Sequence, residues 1–579
     1  MKRIALFLAL LVALPAVEIA VAAPAAVSPP LRSTEQQVDA LFAKWNRPDT
    51  PGAMVEVIRD GKIVLSKAYG MADLERGVPI TAATAFTVGS NSKQFTAFAI
   101  YLLAQDGKLS LDDDIRKYVP EVPDFGKTIT IRHLLHHTSG LRDYFNLMVL
   151  TGWRLDEVMT QDDGLRLVER QRALNFDPGQ EHLYSNTGYM LLGLIVDRVA
   201  GKPLAEFARE RIFQPLGMKH TRFLHGYGTI VPSRALPYVA TAGGGYEYVA
   251  VGDSADGAGG LVSTAGDLAL WDRNFYDGRV GGKALIAQMQ VTGVLSSGKP
   301  INYASGLLVE THRGRRMVEH GGSINGFQAQ LSRFPDQHFS VVVLANTSDL
   351  DIYQTVRRIA DLYLDPQLAS PPPAPPPPKK VFKEVDIDPA RLDALVGFYA
   401  LSPQSGIDFT KESGRLMAKA TGLAKLPVFA YGERDFFAKA VDAQFTFDPP
   451  GPDGIVGGGV LHQNGQDIPA RRIQRPRLAA QALAKYEGDF YSDELRVLYS
   501  VVRKDGGLVL RYPRGEIMLD VNDKGEFNAG FPFGDIRYQC GGQDSCAGFT
   551  VSSDRARNVQ FARIVLPKPA SSLDLAPGR

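Results

Sequence analysis

The chain has 579 residues, of which 45% are hydrophobic and 22% charged, with a formal net charge of +1. That length exceeds what one hydrophobic core organises. The near-neutral balance excludes a general attraction to nucleic acid or to an anionic membrane surface, so function must come from local sites.

At the amino terminus, Met1-Lys2-Arg3 leads into an apolar stretch from Ile4 to Pro15 and then Ala20-Val21-Ala22-Ala23. This is the three-part pattern of a secretory signal peptide over residues 1–23. The apolar stretch is short, and Pro15 and Glu18 interrupt its end, so cleavage rather than anchoring is expected. The expected location is periplasmic or secreted, with no membrane association after cleavage. In that oxidising compartment the only two cysteines, Cys540 and Cys546, are expected to form a disulfide.

Residues 34–48 read as a helix, with Val38, Leu41, Phe42 and Trp45 at helical spacing. The runs on either side of Asp60-Gly61 read as a β-hairpin over residues 53–65. Next comes Gly89-Ser90-Asn91-Ser92-Lys93-Gln94, at the start of a run that is apolar nearly all round and therefore predicts a buried helix. A spacing of three residues brings the Ser90 hydroxyl and the Lys93 amine to one side of that helix. A serine hydroxyl becomes a nucleophile only when a neighbouring group can take its proton, and Lys93 is placed to do so.

Two tyrosines compete for a second role. Tyr184-Ser185-Asn186 precedes a helix expected from Thr187 to about Val199, stopped by Gly201 and Pro203. There the Tyr184 phenol can shuttle a proton if Lys93 lowers its pKa, and the Asn186 amide can meet a substrate carbonyl. Tyr144-Phe145-Asn146 has the same spacing but is read as a loop after Gly140, and Tyr184 is preferred. The glycine- and tyrosine-rich stretch from Gly226 to Gly260 is a long loop with a candidate binding role. Ser296-Ser297-Gly298-Lys299 repeats the Ser-x-x-Lys spacing, yet Pro300 follows it and no helical pattern precedes it, so it reads as a surface turn.

Strand patterns return at 316–320, 327–331 and 339–345. His320-Gly321-Gly322 lies on or just after the first of these, where two glycines allow a substrate backbone to approach the strand. Backbone N–H groups of Ser90 and Ser323 then form a candidate oxyanion hole. Strands at both ends of residues 34–365 and helices between them predict one antiparallel sheet with a helical insertion. A cleft between sheet and helices is the expected site.

Residues 366–389 form a proline-rich linker. Its core, Ser370 to Pro378, contains a stretch of polyproline II spanning about 25 Å. Beyond it the sequence repeats at an offset of 91: Gly397, Phe436, Phe445, Phe447, Val460, Arg472 and Ile473 correspond to Gly488, Phe527, Ile536, Tyr538, Val551, Arg563 and Ile564. Two copies of a small all-β unit, residues 390–475 and 480–566, are expected. Neither places a nucleophile beside a base, so they read as a structural or gating appendage.

Ser90/Lys93, Tyr184/Asn186 and His320/Gly322, in this order, resemble the three motifs of the penicillin-recognising serine hydrolases. That family includes class C β-lactamases, D-Ala-D-Ala carboxypeptidases, D-aminopeptidases and related esterases. The stretches Ile131–Leu141, Pro215–Met218 and Gly257–Ala265 are similar to it as well. The resemblance covers residues 34–365. It implies an α+β, β-lactamase-like fold with an antiparallel sheet, helices on both faces and a helical subdomain, followed here by two barrel-like repeats similar to those of D-aminopeptidases.

The resemblance also implies acyl transfer on a small molecule or short peptide, without metal or cofactor: Ser90 as nucleophile, Lys93 and Tyr184 as proton carriers, and Asn186, His320, Gly321 and Gly322 at the substrate. A D-aminopeptidase-like or DD-peptidase-like activity is expected, with esterase or weak β-lactamase activity as the alternative. A sensor of β-lactams or peptidoglycan fragments that does not turn over is the alternative of another class. Relatives with a lysine at the position of His320 hold a substrate carboxylate there. A neutral imidazole does this poorly, so penicillins and free C-terminal carboxylates are expected to be weak substrates, and amides or esters of small acyl groups better ones.

Overall fold

The computed structural model describes residues 33–365 and 382–565, apart from 155, 225, 227, 242, 251, 253–256, 403–404, 422–424, 440, 442, 453, 464–465, 475–477, 479, 505, 522–525 and 542–544. The signal-peptide segment and residues 366–381 of the expected linker lie outside the described residues.

The first helix, α1 (Thr34–Phe42), carries a capping box built by Ser33 and Gln36. It is shorter than its apolar spacing suggests. Pro48 disfavours helix in the residue before it, and the Thr50 hydroxyl takes the Trp45 carbonyl 2.8 Å away, closing a turn in place of further helix. Strands β1 (Ala53–Arg59) and β2 (Lys62–Tyr69) form the expected hairpin, with both Asp60 and Gly61 at positive φ as its two-residue turn requires.

Helix α2 (Ser92–Gln105) is buried over its whole run from Ser92 to Leu103. Helix α3 (Tyr144–Leu150) replaces the loop expected around Tyr144, because the Asp143 carboxylate caps the N–H groups of Phe145 and Asn146. Then follow α4 (Asn186–Ala200), ended by Gly201 at φ 68°, and α5 (Ala265–Asp277).

Four more strands complete the sheet: β3 (Leu308–His312), β4 (Arg315–Ile324), β5 (Phe327–Phe334) and β6 (Phe339–Ala345). Helix α6 (Ile352–Leu364) closes the region. The sheet order is β3-β4-β5-β6-β1-β2, with every neighbouring pair antiparallel, so both ends of the region meet at β6 and β1.

Both faces of this sheet are covered, which is why β6 is apolar at almost every position. Val341 and Val343 pack with Phe42 of α1 and Ile359 of α6, while Val342 and Leu344 enter the core shared with α2 and α5. In that second core Phe95 and Phe98 sit 4.6 and 5.1 Å from the Trp271 ring. Aromatic pairs at these distances add about 0.5–1.5 kcal/mol each beyond the area they bury.

Two closed eight-stranded barrels follow, with strands from Gly397 to Ile473 and from Gly488 to Ile564. The 91-residue offset has a physical basis in its end positions. A Cβ on Gly397 would lie 2.5 Å from the Arg472 side chain, and one on Gly488 would lie 2.1 Å from Arg563. In each barrel a glycine on the first strand makes room for an arginine on the last. Arg472 donates to the carbonyls of Ala394, Val396 and Val456, and Arg563 to those of Lys485, Glu487 and Cys546. Cys540 and Cys546 are joined in a disulfide.

The barrels differ in how they pack. The core of the first is a separate cluster, whereas the core of the second is continuous with that of the α2 region. Arg142 forms a bidentate pair with Glu494 of the second barrel at 2.8 Å, with side-chain exposures of 1% and 3%. Tyr499 donates to the Leu150 carbonyl, and Arg514 to that of Gly152.

Candidate active site

Ser90 lies in a single 3-10 turn, Gly89–Asn91, directly ahead of α2. Polar side chains fix that turn. The Ser92 hydroxyl donates to the Gly89 carbonyl (2.6 Å) and accepts the Leu261 N–H, while the Asn91 amide donates to the Ala329 carbonyl on β5. Gly89 has φ 52°, and a Cβ there would sit 3.0 Å from the Ser323 nitrogen. A Cβ on Gly322 would come within 1.9 Å of the Val88 carbonyl oxygen and 2.9 Å of the Ser90 nitrogen. The two glycines thus let β4 close against the turn and bring the Ser90 and Ser323 backbones together, as two oxyanion donors require.

Lys93 is fully buried, and its Nζ lies 3.1 Å from Ser90 Oγ, 2.9 Å from Asn186 Oδ1 and 2.7 Å from the Ala258 carbonyl oxygen. A neutral amine keeps two N–H donors and one lone pair. If Lys93 gives up its extra proton, as taking the Ser90 proton requires, its two donors can stay with Asn186 and Ala258 and its lone pair is left for the Ser90 hydroxyl. Asn186 therefore contacts Lys93 directly through Oδ1, and it also borders the cavity, where the sequence places it at the substrate. The Asn186 N–H donates to Asp143, whose carboxylate thus anchors both α3 and the start of α4.

Tyr184 borders the same cavity, but Lys93 does not act on it as expected. The Lys93 Nζ lies 4.9 Å from the centroid of the Tyr184 ring. Burial pushes the phenol well above its ordinary value, against opposing contributions from a hydrogen bond with Ser90 and from the Arg555 charge. The phenol is thus a protonated donor beside Ser90, not a phenolate.

His320, in the middle of β4, is buried and pushed down to about 3, first by desolvation and then by the Lys93 charge. Its Nδ1 lies 2.6 Å from the Gly321 carbonyl oxygen and its Nε2 lies 2.9 Å from the Tyr303 hydroxyl. A Cβ on Gly321 would run into Tyr353 and Gln330.

The cavity at this site measures about 530 Å³ and is bordered by Ser90, Tyr184, Asn186, His320, Gly321, Gly322 and Ser323 together. Lys93 lies behind Ser90, beneath its wall. The competing motifs separate from it in different ways. Ser296 and Lys299 sit in a turn where the Leu295 N–H meets the Lys299 carbonyl. Tyr144 is buried and does border the cavity, as part of α3 rather than a loop.

Sequence reasoning missed Tyr303, Tyr353 and Arg555, which also line the cavity. Tyr303 and Tyr353 belong to no motif, and Arg555 sits on a hairpin of the second barrel, a unit read as a structural or gating appendage. Ala258 and Gly259, from the glycine-rich stretch read as a candidate binding loop, line the cavity too.

A family profile described as Beta-lactamase matches residues 32–364, more than half of the chain. The chain is 28% identical to penicillin-binding protein 4* of Bacillus subtilis over 431 residues, covering 72% of this chain and 93% of that protein. It is also 28% identical to a D-aminopeptidase of Gluconobacter oxydans over 312 residues, covering 54% of this chain but only 58% of that enzyme. An octameric penicillin-binding protein homologue from Pyrococcus abyssi shares the fold, with 22% identity, a TM-score of 0.51 and coverage of 84% of this chain and 99% of that one. The chain belongs to the β-lactamase family.

Proposed function

We propose that the chain is an exported serine hydrolase that acts through an acyl-enzyme on small amides or esters, in the manner of a D-aminopeptidase or DD-peptidase. The observation that carries this reading is the Lys93 Nζ at 3.1 Å from Ser90 Oγ, with Asn186 Oδ1 and the Ala258 carbonyl within hydrogen-bond distance of the same nitrogen. Ser90 Oγ attacks the carbonyl carbon and its proton passes to the Lys93 amine. The Ser90 and Ser323 N–H groups hold the developing oxyanion. Tyr184, protonated and beside Ser90, donates to the departing amine or alkoxide and is recharged from Lys93. Water then repeats the sequence on the acyl-enzyme and frees Ser90.

The relatives' names support the peptidase assignment, and the Cys540–Cys546 disulfide supports an oxidising compartment. The test is a hydrolysis panel on the purified protein: D-aminoacyl amides, D-Ala-D-Ala peptides, short acyl esters and a β-lactam. Steady turnover of at least one amide or ester that is lost in Ser90→Ala is expected. A stoichiometric burst with no steady state would favour a sensor, and turnover surviving in Ser90→Ala would remove the assignment.

A further inference from the structure

The second barrel reaches into the cavity. Its last hairpin, joining strands Gly548–Ser552 and Val559–Ile564, carries Arg555 to the wall formed by Tyr184. The guanidinium lies 5.0 Å from the centroid of the Tyr184 ring, and its side chain is 35% exposed. Among the described residues that line the cavity, Arg555 is the one with a formal charge, and none is an aspartate or glutamate.

The hairpin is held in place by its backbone, which leaves the guanidinium available. The Arg555 carbonyl accepts the Asp143 N–H at 3.0 Å and the Asn175 side-chain amide at 3.1 Å. The Arg557 N–H donates to Asn175 Oδ1, and the Arg142 guanidinium donates to the carbonyls of Arg557 and Asn558. The nearest acidic partner of the Arg555 side chain is its neighbour Asp554, at 3.3 Å and 75% exposed, a pair that solvent weakens. Asp143 also lies within its field, but that carboxylate is engaged by the N–H groups of Phe145, Asn146 and Asn186.

Resting on the hydrolase reading, we propose that Arg555 is the anion anchor of this site, so that the preferred substrate carries a free carboxylate held on the Tyr184 side of the cavity. His320 cannot supply that charge, since both ring nitrogens are engaged and the ring is neutral. A planar guanidinium binds a carboxylate through two parallel hydrogen bonds, and it stands here against an aromatic wall instead of in open water. The same charge repels an α-ammonium group. Of the two activities in the hydrolase reading this favours the DD-peptidase-like one over the D-aminopeptidase-like one, and it reverses the expectation that carboxylates are weak substrates.

The test is equilibrium binding, which needs no turnover. Calorimetry on full-length Ser90→Ala protein compares both enantiomers of N-acetylalanine, their carboxamides and alanine amide, with Arg, Gln or Lys at position 555. The carboxylate should bind one enantiomer roughly ten- to a hundredfold more tightly than its carboxamide, the range of one charge-assisted contact. Arg555→Gln should abolish that preference and Arg555→Lys should restore part of it, with alanine amide the weakest ligand throughout. Equal binding of carboxylate and carboxamide, or a preference that survives Arg555→Gln, overturns the proposal. Because Ser90 is absent, this result is independent of whether the wild-type protein hydrolyses anything, so the anchor and the hydrolase reading fail separately.

Discussion

The Tyr303 hydroxyl stands 2.9 Å from Nε2 of His320, while Nδ1 of the same ring faces the Gly321 carbonyl at 2.6 Å. A carbonyl only accepts, so Nδ1 carries the proton and Nε2 accepts from the phenol. Tyr303 therefore fixes both the tautomer and the orientation of a ring at the cavity wall. NMR of the imidazole nitrogens should show this single tautomer with no titration from about pH 8 down to about pH 5, where an unperturbed histidine would change charge. Tyr303→Phe leaves Nε2 buried without a partner and should cost about 1–3 kcal/mol of stability by denaturant unfolding. A ring that titrates near its ordinary value in the wild type would refute the buried, neutral assignment.

Tyr184 is expected to matter as a proton donor. Tyr184→Phe keeps the ring beneath Arg555 and Lys93 but removes the hydroxyl, and should lower kcat by roughly 10²- to 10⁴-fold, the usual worth of a positioned acid–base group. Ser296→Ala, in the turn that repeats the Ser-x-x-Lys spacing, should stay within a few-fold of wild type, about the level of a neutral surface change. Parallel losses in the two variants would mean that the wrong pair has been assigned.

The second barrel's attachment gives a prediction about stability. Arg142 and Glu494 are both buried and bonded twice to each other, so removing either charge strands the other. Glu494→Gln should destabilise by about 3–5 kcal/mol, whereas Arg142→Met with Glu494→Leu should recover most of that loss. Thermal unfolding of the three proteins, followed by kcat/KM, checks this. If the pair also holds the Arg555 hairpin in place, the single variant should lose activity along with stability.

Much of the catalytic region was legible because its signals are local. Ser90 and Lys93 lie one helical turn apart, the Asp60-Gly61 hairpin needs only its turn residues, and the all-apolar run after Lys93 announces a buried helix. The repeat was legible through Gly397/Arg472 and Gly488/Arg563, whose close approach constrains both members of each pair. What stayed hidden depends on contacts between distant segments. Nothing local to Tyr303 points to His320, and Arg555 meets Tyr184 only because a separate barrel docks through Arg142 and Glu494. The helix at Tyr144 did carry a local signal, the cap at Asp143; what one dimension hides is that the same carboxylate also binds the start of α4.

Glu56 links the fold to pH. It is 3% exposed on β1, one of its carboxylate oxygens has no hydrogen-bond partner, and desolvation pushes it up to about 7. The folded state then binds the proton more tightly than the unfolded chain. Stability from this group is complete below about pH 4.5, falls as pH rises toward about 7, and the cost above that is on the order of 3 kcal/mol. His136 and His320, pushed down to about 4 and about 3, act in the opposite sense, with stability lost as pH falls below about 6.5. Glu56→Gln should therefore be more stable than wild type near pH 8 and nearly equal to it near pH 4.5, by thermal unfolding across the range. A difference that does not change with pH would remove Glu56 as the cause.

The central claim is that Ser90, activated by Lys93, takes the acyl group. Its most direct measurement is mass spectrometry of protein quenched within the first turnover with an activated ester, followed by peptide mapping. One acyl group per chain on the peptide containing Ser90 is predicted, absent in Ser90→Ala and formed at least about a hundredfold more slowly in Lys93→Ala, because nucleophile and base act as a unit. An adduct on any other residue, or equal acylation rates with and without Lys93, would contradict the account.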